Sequence, residues 1–237
     1  MEGLAVSSDR TFDMDFAQIC AMEEPLRARL QALTAIIATH DPEFASAYEG
    51  LVSQLQRAAA GDGAPKISDQ MPAFLLPDHN GRLVSLDDLL GTSPVVISFN
   101  RGHWCEYCDV ELRAYTAAQK EFSRSGAQVV SIMPDRLAYL AKVSERNKHA
   151  FLVLCDMDNS YAMELNLVIW LGERIHGLLA AAGVSLDKIQ GNSGSFVPVP
   201  GTFVLDRRGI ILARFVDPDF RKRMEVTDVL EVIAAQR

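Results

Sequence analysis

The chain has 237 residues, 49% of them hydrophobic, which is enough to bury a full core and to form one domain with an extension. Its 23 Lys and Arg against 31 Asp and Glu leave a net charge of −8, so composition offers no electrostatic footing for a nucleic-acid partner. Four cysteines, with Cys20 and Cys155 isolated, are too few and too unevenly spaced for a secreted disulfide framework, and a reducing, cytoplasmic setting is expected.

At the N-terminus an acid, Glu2, stands where a signal peptide would be basic, and no continuous apolar stretch follows it. Nowhere does the chain approach the roughly 18 apolar residues of a membrane span, so no membrane partner is expected. Residues 12–60 are rich in Ala, Leu, Gln and Glu, with Ile19, Leu26, Leu30, Leu33, Ile36 and Ile37 at helical spacing. Asp41-Pro42 divides them into helices over 16–40 and 42–60, and Pro25 either kinks the first or marks its true start. Gly61-Asp62-Gly63-Ala64-Pro65 reads as a linker, making 1–65 a helical extension and 66–237 the main domain. The extension's apolar stripe either packs on the sheet or supports a homodimer.

Beyond the linker, runs at 74–77 and 82–85 flank His79-Asn80-Gly81, a hairpin signal. A buried-type strand at 95–99, a helix over 106–123, a strand at 128–133, a helix over 136–147 and a strand at 151–154 follow. This βαβαβ order is that of a sheet covered by helices. Residues 161–190 are largely apolar and expected to be helical in part, with interruptions at Gly172, Gly177 and Gly183. Strands at 201–206 and 210–216, joined at Arg207-Arg208-Gly209, precede a helix over 225–235 and give an antiparallel ββα ending. The charged turn from Asp217 to Arg223 is read as solvated at Arg221, Lys222 and Arg223.

The chemistry-bearing motif is Cys105-Glu106-Tyr107-Cys108, at the junction between the strand at 95–99 and the helix that follows. Chance alone places two of four cysteines three apart roughly 5% of the time, so the strand-to-helix setting supplies much of the specificity. A thiol at a helix N-terminus faces unpaired N–H groups and the positive end of the dipole, which stabilise thiolate. Its partner three residues on shares the same face and can close a disulfide. A zinc site is disfavoured, because no second short-spaced ligand pair accompanies the first. Cys155 and Cys20 read as small apolar core residues.

The segment from about Ile67 to Arg237 resembles the peroxiredoxin-like branch of the alkyl hydroperoxide reductase and thiol-specific antioxidant family. Four stretches carry the likeness: Met71-Pro72-Ala73-Phe74 with Asn80-Gly81; Arg101 to Cys108; Gln128 to Ile132; and Pro200 to Gly209. It implies a thioredoxin-like α/β fold, a central mixed sheet flanked by helices, with Cys105 in the place of the peroxide-attacking cysteine. Departures stand beside it: Ser98 and Gly102 occupy the Pro and Thr positions of the family's Pro-x-x-x-Thr-x-x-Cys pattern. Pro200 stands where typical members carry an Arg, which is also where thioredoxins carry a cis-proline. A cis Pro200, with Gly201 and Thr202, would offer backbone groups to a substrate; the alternative is an ordinary trans proline in the Val197-Pro198-Val199-Pro200 loop. Arg101 either presents a cation to the thiolate and a peroxide oxygen, or faces solvent. Trp104 is expected as a lid beside the cysteines in the substrate region, and His103 as an exposed loop residue.

The expected activity is thiol-dependent oxidoreduction, with Cys105 attacking a peroxide or a disulfide and Cys108 resolving it to an intramolecular disulfide. A thioredoxin-like disulfide reductase, or a redox-sensing or binding module, are the alternatives. No flavin, haem or nicotinamide motif is visible, so no cofactor is expected. An external dithiol, thioredoxin- or glutaredoxin-like, must reset the bridge.

Overall fold

The computed structural model describes residues 10–91 and 93–236; the reading of the first residues as free of a signal peptide falls largely outside them. Three helices come first: α1 (Arg10–Ala21), α2 (Leu26–His40) and α3 (Pro42–Arg57). Pro25 is a start, not a kink: it precedes α2, whose first N–H groups, at Leu26 and Arg27, donate to the Glu225 carboxylate at 2.9 and 2.8 Å. Asp41 caps α3 by accepting from the Phe44 N–H at 2.8 Å, with Pro42 in the first turn where its missing donor costs nothing.

Next, β1 (Leu75–Pro77) and β2 (Leu83–Ser85) form the expected antiparallel hairpin, and Ser85 caps the short α4 (Leu86–Leu90). The sheet proper contains β3 (Val95–Phe99), followed by α5 (Glu106–Ala117) and α6 (Gln119–Ser125), then β4 (Gln128–Met133), α7 (Leu137–Arg146) and β5 (Leu152–Cys155). Where one helix over 106–123 is expected there are two, because Ala118 leaves helical geometry at φ −89°, ψ 12° and lets α6 turn onto the C-terminal helix. Residues 160–198 hold α8 (Ser160–Glu164), β6 (Val168–Trp170), α9 (Gly172–Ala181), α10 (Leu186–Gln190) and β7 (Phe196–Pro198). The pairing of β6 with β7 inserts a strand into a segment read as helical, and its partner lies almost thirty residues downstream. The chain ends with β8 (Gly201–Leu205), β9 (Ile211–Val216) and α11 (Val226–Ala234).

Five strands make the central sheet in the order β5-β4-β3-β8-β9, with β3, β4 and β5 parallel, β8 antiparallel to β3, and β9 antiparallel to β8. This is a mixed α/β sheet. All five residues of β3 are buried, as a strand covered on both faces requires. Its last residue, Phe99, is paired with Ile132 on one side and Gly201 on the other, so the loop after β3 emerges beside the start of β8.

The N-terminal helices do not lie on the sheet. Instead α1 and α2 pack on α5 and α3 packs on α9, and their buried faces join the same apolar cluster as β3 and α5. Among the described residues no helix is long and apolar enough to cross a membrane.

Candidate active site

Cys105 is the N-cap of α5, extended at φ −87°, ψ 112°, and its sulfur accepts from the Cys108 N–H at 3.4 Å. Cys108, three residues on, directs its own S–H to Cys105 Sγ at 2.7 Å. Both thiols are free and buried. The spacing therefore does locally what it predicts, placing one sulfur at the helix dipole and the other against it.

Arg101 settles on the thiolate rather than on solvent. It is fully buried, and its Nε and Nη2 donate to Cys105 Sγ at 3.3 and 3.2 Å. The guanidinium lies 4.0 Å from the Phe220 ring centroid and 5.3 Å from those of Tyr48 and Trp104, and Nη2 also meets the Tyr48 hydroxyl at 3.5 Å. Its Nη1 is buried and has no protein hydrogen-bond partner. Burial pushes the Cys105 thiol up, but the Cys108 donor and the Arg101 and Arg223 cations outweigh it and bring Cys105 down to about 5. Cys108 goes the other way, well above its ordinary value, because burial, its hydrogen bond to Cys105 and the Cys105 charge all hold its proton.

Several residues are placed otherwise than expected. Trp104, expected as a lid beside the cysteines, is 1% exposed and packs against Arg101, whose guanidinium lies 5.3 Å from its ring centroid. His103 is buried too: its backbone N–H and Nδ1 both meet Asp135 Oδ2, at 2.8 and 2.7 Å, and its ring stacks on Tyr139. Asp135 thereby anchors the loop that carries the cysteines. Gly102 adopts φ 142°, and a Cβ there would lie 2.5 Å from both Asp135 Oδ1 and Trp104 Nε1. A threonine at this position is excluded by the buried groups that occupy its place.

No cis peptide occurs among the described residues, so Pro200 is trans and the cis expectation is corrected. The physical reason is the preceding strand: β7 pairs with β6 and the Val199 N–H donates to the Leu167 carbonyl at 2.6 Å, which fixes the approach to β8 without a reversal. Pro200, Gly201 and Thr202 are buried at the β8 end facing the loop after β3, and Thr202 stands opposite Ser98. The fold brings them to the same end of the sheet as Cys105. None of the hydrogen bonds to the two sulfurs comes from them.

The reading of the 217–223 turn as solvated fails at Arg223, whose side chain is 1% exposed. Its Nε pairs with Glu111 Oε2 at 2.7 Å and its Nη2 lies 3.6 Å from Cys108 Sγ. Glu111 Oε1 accepts from Ser98 Oγ at 3.4 Å. Tyr48, Phe220, Arg223 and Glu111 are thus site residues that sequence reasoning missed. Two signals were present: Glu111 falls on the Cys108 face of α5, three residues on, and Phe220 is an aromatic residue inside a charged run.

The extension covers the pair. Tyr107, between the cysteines, meets the Thr34 hydroxyl of α2 at 3.1 Å, and Tyr48 of α3 stacks edge-on with Phe220 at 4.9 Å. A cleft of about 630 Å³ lined by Thr34, Arg221 and Arg223, and a cavity of about 110 Å³ lined by His103, Trp104 and Val184, flank the site. Among the described residues no group of three or more His, Cys, Asp or Glu side chains is arranged to hold a metal ion.

Residues 67–214 match the profile of the AhpC/TSA family. The chain is 26% identical over 164 residues to a putative chloroplastic peroxiredoxin Q of Oryza sativa subsp. indica, covering 68% of this chain and 64% of that protein, a little under two-thirds of the relative's length. Among solved structures, peroxidoxin BcpB from Mycobacterium tuberculosis superposes with a TM-score of 0.56 at 23% identity, over 73% of this chain and 98% of that one. A yeast mitochondrial 1-Cys peroxiredoxin, whose thiol is resolved via glutathione/thioredoxin systems, superposes with a TM-score of 0.57 at 21% identity, over 73% of this chain and 76% of that one. These structural likenesses reach the fold. The family profile begins at residue 67, after the three N-terminal helices.

Proposed function

This chain belongs to the AhpC/TSA family, and on that premise we propose that it is a thiol peroxidase in which Cys105 attacks and Cys108 resolves. The observation that carries the reading is the Arg101 guanidinium, which donates twice to Cys105 Sγ and keeps Nη1 free of any protein partner. A cation so placed stabilises the thiolate and offers its remaining N–H to the peroxide oxygen on which charge develops as the O–O bond breaks. Arg101 thereby does the work of the hydroxyl that Gly102 lacks.

Cys105 thiolate attacks the terminal oxygen of a peroxide ROOH, the O–O bond breaks, RO⁻ leaves to be protonated to ROH, and Cys105 becomes a sulfenic acid; Cys108 then condenses with it, releasing water and closing the Cys105–Cys108 disulfide. Burial of both sulfurs favours a small peroxide over a protein disulfide, which would reach Cys105 only if α2 and α3 moved away. An external thiol returns the bridge to the dithiol, and the yeast relative resolved via glutathione/thioredoxin systems supports thiols of those two classes. A reducing, cytoplasmic setting belongs to the same reading, since the cycle rests on both thiols being free.

The test is the second-order rate of the reduced protein with hydrogen peroxide, measured by rapid mixing at pH 7. We expect it to exceed that of free cysteine by several orders of magnitude, with Cys105→Ser inactive and Cys108→Ser accumulating sulfenic acid at Cys105. A rate equal to that of free cysteine would overturn the peroxidase reading.

A further inference from the structure

Arg223 stands against the second thiol much as Arg101 stands against the first. It arrives from the segment after β9, outside the span that matches the family profile. Its guanidinium is buried with Nε on Glu111, Nη1 on the Phe220 and Lys222 carbonyls and Nη2 3.6 Å from Cys108 Sγ. Nε and Nη1 are held by three protein oxygens, and Nη2 is directed at sulfur. A buried ion pair taken out of water brings little stability by itself, which leaves the sulfur contact to be explained.

We propose that Arg223 stabilises Cys108 as a thiolate during resolution, so that the site holds one negative charge twice: first on Cys105 beside Arg101, then on Cys108 beside Arg223. The inference rests on the peroxidase reading above. In the resting site the Cys105 charge and its hydrogen bond keep Cys108 protonated. When the Cys105 thiolate takes an OH unit from ROOH, two electrons leave sulfur, the O–O bond breaks and RO⁻ departs. The Cys108 proton neutralises that RO⁻ to ROH, and the charge passes to Cys108. Cys105 is by then a neutral sulfenic acid, so the charged groups facing Cys108 are Arg223, backed by Glu111, and Arg101. Cys108 thiolate next attacks the Cys105 sulfur, the S–S bond forms, and the hydroxide that leaves takes a proton from solvent to give water.

The experiment follows single turnovers of the full chain with hydrogen peroxide, reading sulfenic acid at Cys105 by a trapping reagent and disulfide by mass, across pH 5 to 9. Arg223→Gln alone leaves Glu111 buried and unpaired, so the informative variant is Glu111→Gln with Arg223→Gln, compared with Arg223→Lys. A neighbouring cation moves a thiol by about 1 to 3 pH units, and lower thiolate content is partly offset by higher nucleophilicity. The condensation step of the double variant is therefore expected to slow about 3- to 30-fold at pH 7, more than the peroxide step, with its pH midpoint displaced upward, and Arg223→Lys to recover most of the loss. Failure of the wild-type chain to form sulfenic acid at Cys105 would refute the peroxidase reading itself. If the wild type completes both steps but the double variant condenses with an unmoved pH midpoint, whatever its rate, Arg223 is a structural ion-pair partner and the inference falls.

Discussion

Two parallel strands of the same sheet, β5 and β3 on either side of β4, each end near a buried cysteine, and the two sulfurs are driven in opposite directions. At the end of β5, burial pushes Cys155 up to about 11, and the carboxylates of Asp135, Asp156 and Asp158 push the same way. Past the end of β3, Cys105 is also buried, yet it is brought down to about 5 by a thiol donor and two guanidinium groups. Burial by itself therefore makes an inert thiol, and the sign of the charge brought alongside decides whether a buried sulfur is a nucleophile. Cys20, half-buried, is likewise raised to about 11 by burial, and there Arg113 beside it does not offset the loss of solvent.

The comparison breaks most visibly if Arg101 is removed. Arg101→Gln should leave Cys105 in surroundings closer to those of Cys155, losing both the cation on the thiolate and the donor to the peroxide. With a thiol shift of about 1 to 3 pH units and an oxyanion-type donor worth about 10²-fold, the peroxide rate at pH 7 is expected to fall on the order of 10³-fold. Thiolate absorbance should show the Cys105 midpoint moving from about 5 toward neutral pH or above. A rate within tenfold of wild type would mean that Cys105 does not owe its reactivity to Arg101.

The two sulfurs also differ in how they tie stability to pH. Cys105 has a folded pKa of about 5, below the usual thiol value near 9, so its contribution is full above pH 9, shrinks as pH falls and is gone below about 5. Cys155, raised in the fold, contributes fully below 9 and loses its share only at higher pH. Between pH 6 and 8 the slope belongs to Cys105, at about 1.4 kcal/mol per pH unit. Denaturant unfolding of the reduced protein should thus show the gap between wild type and Cys105→Ser widening by about 2 to 3 kcal/mol from pH 6 to pH 8. A gap that stays constant would contradict a low Cys105 pKa.

What the sequence made legible follows from the range of the interactions. The runs Val95 to Phe99 and Gln128 to Met133 are strands because continuous apolar stretches buried on both faces are written locally, and their limits match. Cys105, Cys108 and Arg101 are likewise within one loop and one helical turn. The break at Ala118 has no local marker, since alanine favours helix, and arises from α6 packing on α11. Val168-Ile169-Trp170 becomes a strand only because Phe196 to Pro198 is brought beside it. Tyr48 reaches Arg101 across 53 positions and Arg223 reaches Cys108 across 115, distances in the chain that no spacing rule spans. His103 is buried rather than exposed for the same reason: its surroundings, like those of Gly102, are set by Asp135, more than thirty residues on.

Tyr48 offers the finest test of the contrast, because it touches the Cys105 side of the site and not Cys155. Tyr48→Phe removes a hydroxyl 3.5 Å from Arg101 Nη2 while keeping the ring that packs on Phe44 and Phe220. At that length the bond is weak, and its loss should cost about 0.5 kcal/mol, read as a two- to threefold slower peroxide reaction. Since the hydroxyl acts on the guanidinium, the Cys105 midpoint should move only slightly, and the accessibility of Cys155 to alkylation should not change. An unaltered rate would show that the extension merely covers the site, whereas the expected small loss would make α3 part of the surface that holds Arg101 against the thiolate. The effect is small because the Tyr48 hydroxyl is only one of the contacts on that cation: the two bonds to Cys105, the Phe220 ring at 4.0 Å and the rings of Trp104 and of position 48 at 5.3 Å remain.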